Sequence, residues 1–169
     1  VLALPYFYFL PLYITGTYFL LKELDNTKSH INCFLLGCVF GFGQFLVGMH
    51  WIIFPLFFDE KYNFLIPLIL IFFPAFLSIF YGMVGLGISF YSKKVNLFKN
   101  GFFLTHIYFL SLIIFFFEFL RSYLFGGFPW NLSSHIWAFN HLFISTAKLF
   151  GAHGLSFTTI YWIVFICIF

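Results

Sequence analysis

Two opposite charges stand three residues apart in a run that is otherwise almost wholly apolar. Glu118 and Arg121 are followed at once by Gly126, Gly127, Phe128, Pro129 and Trp130. Spacing of three places the two charges on one helical face, within reach of each other. Charges beside hydrocarbon are expensive and mark pairing or functional positions. Either the pair fixes the depth of a helix at the membrane surface, or Arg121 contacts a lipid phosphate through its planar donor fork, with Glu118 orienting it. The two glycines then release the backbone from helical geometry. Pro129 biases Phe128 toward an extended conformation. The expected outcome is an aromatic lip of Phe128 and Trp130 just past a helix end.

Other chemistry finds little footing. The six histidines never fall three or four apart, so metal ligation is disfavoured and no cofactor is implied. His50, beside Trp51, reads as a polar group at a membrane boundary, and His106 and His153 as hydrogen-bonding groups between helices. Ser133 and Ser134 precede His135 directly, but adjacency in sequence does not create a nucleophile–base pair. Cys33, Cys38 and Cys167 lie in apolar runs without C-x-x-C spacing and read as packing residues. Trp51, Trp130 and Trp137 have the composition of an interfacial belt.

The elements that position these residues follow from composition. The 169 residues are 63% hydrophobic and only 8% charged, with 32 Phe and a mean hydropathy of +1.03. Soluble domains carry roughly a quarter charged residues, so a water-soluble fold is excluded. The net charge of +3 is modest and no basic stretch interleaves with aromatics, which argues against nucleic acid as a partner. Five apolar stretches, at 4–21, 31–57, 64–90, 102–120 and 143–169, are each long enough or nearly so to cross about 30 Å of hydrocarbon. None alternates polar and apolar residues as a barrel strand does. The expected fold is all-α, one polytopic transmembrane helix bundle over residues 1–169 with about five spans, the third tilted or kinked near Pro74. Apolar sequence at both ends reads as truncation at both ends.

Loop charges give an orientation. Lys22, Lys28, Lys93, Lys94 and Lys99 lie in the first and third loops, against Lys61, Arg121 and Lys148 at the others. Five cations against three put the first and third loops in the cytoplasm. Gly37 and Gly41 have the spacing that lets two membrane helices approach closely.

The run Glu118-Phe119-Leu120-Arg121 with Gly127-Phe128-Pro129-Trp130 closely resembles a signature of the apolipoprotein N-acyltransferase family. Gly37-Cys38-Val39-Phe40-Gly41-Phe42-Gly43 with Gly48-Met49-His50-Trp51-Ile52 resembles a membrane helix of the same family, and Leu149 to Phe157 resembles a Gly-rich helix start there. The resemblance spans nearly the whole chain in order. It implies the membrane region of a bacterial inner-membrane acyltransferase that moves an acyl chain from a phospholipid donor to the N-terminal cysteine of a lipoprotein acceptor. It implies a signature loop, 122–142, facing the periplasm, and Arg121, Trp130, Glu118, Phe128 and Trp51 as the membrane side of the substrate pocket. The family's catalytic Glu, Lys and Cys belong to a nitrilase-like domain outside these residues, so no catalytic residue is expected in this chain, and no activity from it alone. The rival readings are a piece of a polytopic transporter, with Glu118 and Arg121 as a gating or substrate pair, and a non-catalytic membrane scaffold.

Overall fold

The computed structural model describes residues 10–58, 60–93, 103–124, 129–138 and 140–169. Five α-helices carry the fold: α1 (Leu10–Asn26), α2 (His30–Gly48), α3 (Leu65–Ser92), α4 (Phe103–Tyr123) and α5 (His141–Ile168). No strand occurs among the described residues. Four helices, α2 to α5, are long and apolar enough to cross a membrane. With α1 packed against α2, α3 and α5, they form an all-α transmembrane bundle.

Local sequence sets where each helix starts and stops. The Ser29 hydroxyl accepts from the Asn32 N–H, an N-cap that satisfies one of the free donors at the start of α2. The apolar run 31–57 does not continue as one helix. It divides at Gly48, after which His50–Phe58 winds as a 3-10 helix containing Pro55. Glycine releases the α-helix and Pro55 lacks the N–H that an α-helical ladder would need. Its apolar character therefore reflects surface aromatics as well as a span: Phe54, Phe57 and Phe58 are all exposed. Helix α3 is continuous through Pro74 and has 28 residues, about 42 Å at 1.5 Å per residue, more than a straight crossing requires.

The run 143–169 is interrupted too. Helix α5 begins at His141, capped by the Asn140 side chain accepting from the Leu142 N–H, but Gly151 has φ 70° and ψ 175°. That conformation is open to glycine and strained for any other residue, so α5 is two helical pieces meeting at an angle.

Helices α2 and α3 form the most extensive pair. Gly37 lies against the Tyr81 carbonyl and Gly85 against the Cys33 carbonyl, so closely that a methyl group at either would overlap backbone atoms. The small-residue spacing thus brings two backbones together, as it does in membrane helix pairs generally. Leu20, Leu21, Leu24, Ile88, Ile107, Leu110 and Val164 fill the centre. Cys33 and Cys167 are buried and unoxidised, and their thiols approach backbone carbonyls at Thr27 and Ile14. His106 accepts or donates to the Tyr91 hydroxyl at 2.7 Å, joining α3 to α4, and His153 approaches the Ser122 hydroxyl at 3.5 Å, joining α4 to α5.

Candidate functional site at the end of the fourth helix

Glu118 and Arg121 occupy the last turns of α4, 8% and 3% exposed. A carboxylate and a guanidinium so enclosed must find hydrogen-bonding partners, because an unpaired buried charge is far costlier than the pair. Both find them in the turn that follows. The Ser133 N–H donates to both carboxylate oxygens of Glu118 at 3.1 Å, and the Ser133 hydroxyl donates to Oε2 at 2.6 Å. Arg121 donates from one terminal nitrogen to the Trp130 carbonyl at 2.7 Å and from the other to the Asn131 carbonyl at 3.4 Å. The two charges also attract each other across the helix face. Together they clamp residues 130–133 from both sides.

The turn is shaped to be clamped. Asn131 has φ 54°, a left-handed conformation that asparagine tolerates better than other side chains. That value lets successive carbonyls at 130 and 131 point toward one guanidinium. Ser133–Trp137 then winds as a short 3-10 helix, held to α5 by the Ser134 N–H donating to the Ser156 hydroxyl and by the Trp137 indole N–H donating to Thr159.

The clamp extends to helices distant in sequence. The Ser133 hydroxyl has one proton, already given to Glu118, so the Tyr13 hydroxyl is the donor in the 3.2 Å contact between them. Tyr13 lies on α1 beside the side chains of Tyr81 on α3 and Gln44 on α2. The Arg121 guanidinium sits over the Phe45 ring of α2, 5.1 Å from its centre, in a cation–π contact. Every helix of the bundle therefore contributes to one polar knot, with α5 joined through Ser156.

Trp130 leaves the knot and points outward, half exposed, against Trp51 at the start of the 3-10 segment, ring centres 5.2 Å apart. Four of the five expected site residues, Glu118, Arg121, Trp130 and Trp51, are thus brought together. Phe128 lies outside the described residues. Tyr13, Gln44, Phe45, Tyr81 and Asn131 join them without having been singled out in sequence, and Ser133, weighed there only as a nucleophile, joins as a hydrogen-bond donor to Glu118. Asn131 and Ser133 carried a local signal, being turn-forming residues just past a Pro-Trp pair. Tyr13 carried none, because its partner lies 120 residues away.

His135, in the turn, has its imidazole held below its ordinary pKa, first by burial and then by the positive charge of Arg121. Among the described residues no group of three His, Cys, Asp or Glu side chains converges to hold a metal.

The chain as a whole matches known proteins. The family model for the apolipoprotein N-acyltransferase N-terminal domain matches residues 1–167. Apolipoprotein N-acyltransferase of Rickettsia bellii is 30% identical over 155 residues, covering 91% of this chain and 29% of that protein. The protein of the same name from Rickettsia typhi is 29% identical over 157 residues, with 91% and 29% covered. That from Rhizobium rhizogenes is 29% identical over 171 residues, with 95% and 31% covered. The chain spans less than a third of the length of these curated relatives. No solved structure matches it. A match over nearly every residue, on a bundle whose polar knot is built from the signature residues, places this chain in the apolipoprotein N-acyltransferase family, as its N-terminal membrane domain.

Proposed function

We propose that this chain is the membrane part of an enzyme that carries an acyl group from a phospholipid to the α-amino group of a lipoprotein's N-terminal cysteine, and that it forms the membrane-side wall of the acyl pocket. In the first step a thiol of the complete enzyme attacks the phospholipid ester. A C–S bond forms, the ester C–O bond breaks, and the proton goes to the departing lipid hydroxyl. In the second the lipoprotein amine attacks the thioester, an amide C–N bond forms, and the thiol is regenerated. No residue of this chain takes part in either bond change. Its work is placement.

The observation that carries the reading is the clamp. Glu118 and Arg121 fix the turn at Ser133 and at Trp130–Asn131, so the half-exposed Trp130 is held against Trp51 rather than left mobile. A rigid aromatic pair beside hydrocarbon suits an acyl chain, which needs apolar surface without polar gaps. Arg121 acts here through the turn, since both of its terminal nitrogens donate to backbone carbonyls. The site belongs to the non-cytoplasmic face of the bacterial inner membrane, by the excess of lysine in the first and third loops.

The test is lipoprotein N-acylation by the complete enzyme carrying Trp130→Ala or Trp51→Ala. Each removes an aromatic wall worth about 0.5–1.5 kcal/mol beyond its area, so acylation should fall several-fold at normal membrane abundance. Normal acylation by both variants would remove the pocket from this face.

A further inference from the structure

A groove of about 330 Å³ runs between α1 and α2, walled by Leu12, Gly16, Val39, Phe40 and Gly43 and ending at Gln44 and Tyr13. Leu12 and Val39 are exposed on the outer surface of the bundle, so the groove opens toward lipid. Gly43 faces empty space: a Cβ built there meets no atom within 4 Å. At the groove's end Gln44 is only 5% exposed, and its Oε1 is buried and accepts no hydrogen bond among the described residues. A buried amide oxygen left without a donor costs about 1–3 kcal/mol, so a ligand that supplies one gains there. Among the described residues no donor reaches this oxygen.

Depth narrows what the donor can be. Gln44 lies four residues before Gly48, the end of α2, about 6 Å along the helix. That end carries Trp51 and faces the signature turn, so Gln44 sits where the glycerol backbones of that leaflet lie. A diacyl phospholipid presents only ester oxygens at this depth, which are acceptors and cannot serve Gln44. A glycerolipid with one chain missing presents a hydroxyl there. We propose that the α1–α2 groove binds a single-chain glycerolipid, its chain against Gly16, Val39 and Phe40 and its free hydroxyl donating to Gln44 Oε1. This identification of the ligand rests on the acyl-transfer reading, in which removing one chain from a phospholipid leaves a lipid of this class. Tyr13 ties the groove to the site, since it flanks Gln44 and donates to Ser133 of the clamp.

The complete protein in diacyl-phospholipid nanodiscs is given trace lysophosphatidylethanolamine, or the same lipid with its free hydroxyl methylated, and retained lipid is measured by mass spectrometry. Wild type should retain the hydroxyl lipid about tenfold over its methyl ether, the effect of one buried acceptor satisfied or orphaned. Gln44→Leu should bring that ratio to near one. Gly43→Leu, which fills the open space, should lower retention of both lipids. Equal retention of the two lipids by wild type, or a ratio unchanged in Gln44→Leu, overturns the proposal. Retention needs no turnover, so release of labelled lysolipid from a phospholipid donor is measured separately. Its absence beside selective retention sinks the acyl-transfer reading and leaves the groove standing. Turnover without selective retention does the reverse.

Discussion

Arg121→Lys separates positioning by geometry from mere anchoring of charge. Lysine keeps the positive charge opposite Glu118 and snorkels as arginine does, so helix depth and charge balance survive. What it cannot keep is the fork. Arg121 reaches two carbonyls at once, Trp130 at 2.7 Å and Asn131 at 3.4 Å, while its guanidinium sits over the Phe45 ring at 5.1 Å. One ammonium at the end of a flexible stem satisfies the nearer carbonyl at best. Losing the second, longer charged hydrogen bond removes about 1 kcal/mol, below the usual 1.5–3 because of its length. Exchanging the guanidinium over Phe45 for a compact, strongly hydrated ammonium on a flexible stem removes about 0.5–2 kcal/mol more. The sum is about 1.5–3 kcal/mol of restraint on the turn, or roughly a tenfold to hundredfold rise in the population of misplaced Trp130. Lipoprotein N-acylation by the complete enzyme should fall at least several-fold, while abundance in the membrane stays near wild type because no buried charge is left alone. Arg121→Ala is the contrasting case: it strands the Glu118 carboxylate and should cost about 3–5 kcal/mol, visible as lost protein. If Arg121→Lys acylates normally, two carbonyl contacts do not matter and the clamp is only an anchor.

Three further outcomes follow from the packing and the charges. Gly37→Ala drives a methyl group into the Tyr81 carbonyl and should destabilise the bundle by about 1–3 kcal/mol or more, seen as a lower melting temperature in detergent, whereas Gly43→Ala meets open space and should be nearly silent. His135 is held below its ordinary pKa of 6.5, so the unfolded chain binds a proton that the folded one refuses. Stability should therefore decline as pH falls below about 6.5 and level off beneath the folded value, and His135→Gln should flatten that slope in melts across the acid range. A reporter fused near Asn96 should read cytoplasmic and one near Ser133 periplasmic; the opposite pattern would put the clamp on the wrong side for acylation of exported proteins.

How much of this could be seen in the residues themselves divides by range. The all-helical bundle is legible because runs of Phe, Leu and Ile without alternation have one solution in hydrocarbon. The clamp is legible in part: two charges on one helix face, then Gly, Pro and Trp, announce a structured turn. The spacing announces a pair on one helix face, and the two charges do attract each other; it does not announce that each also reaches forward, to Ser133 and to the carbonyls of Trp130 and Asn131. A buried carboxylate prefers backbone and hydroxyl donors when a turn offers them at 2.6–3.1 Å. Hydropathy also ran two elements together at 31–57, because an exposed 3-10 segment of Phe and Trp at a membrane surface scores like a span. Tyr13 and Gln44 were illegible, since a tyrosine and a glutamine among apolar residues acquire meaning only when three helices close around them.

The break at Gly151 divides α5 into halves of different persistence. Helical cooperativity passes from turn to turn through the hydrogen-bond ladder, and a residue at φ 70° interrupts that transmission. Residues 152–168 are held by Leu155, Ile160, Ile163 and Val164 in the core, whereas Leu142, Leu149 and Phe150 on the other side are exposed. The stacking of Trp137 on Phe143, ring centres 4.3 Å apart, is the tether of the outer half to the turn. Amide hydrogens over 141–150 should exchange through local opening, well before those of 152–168, which wait for the bundle itself to come apart. The piece of chain nearest the clamped turn can thus loosen independently of the helix that continues beyond Gly151.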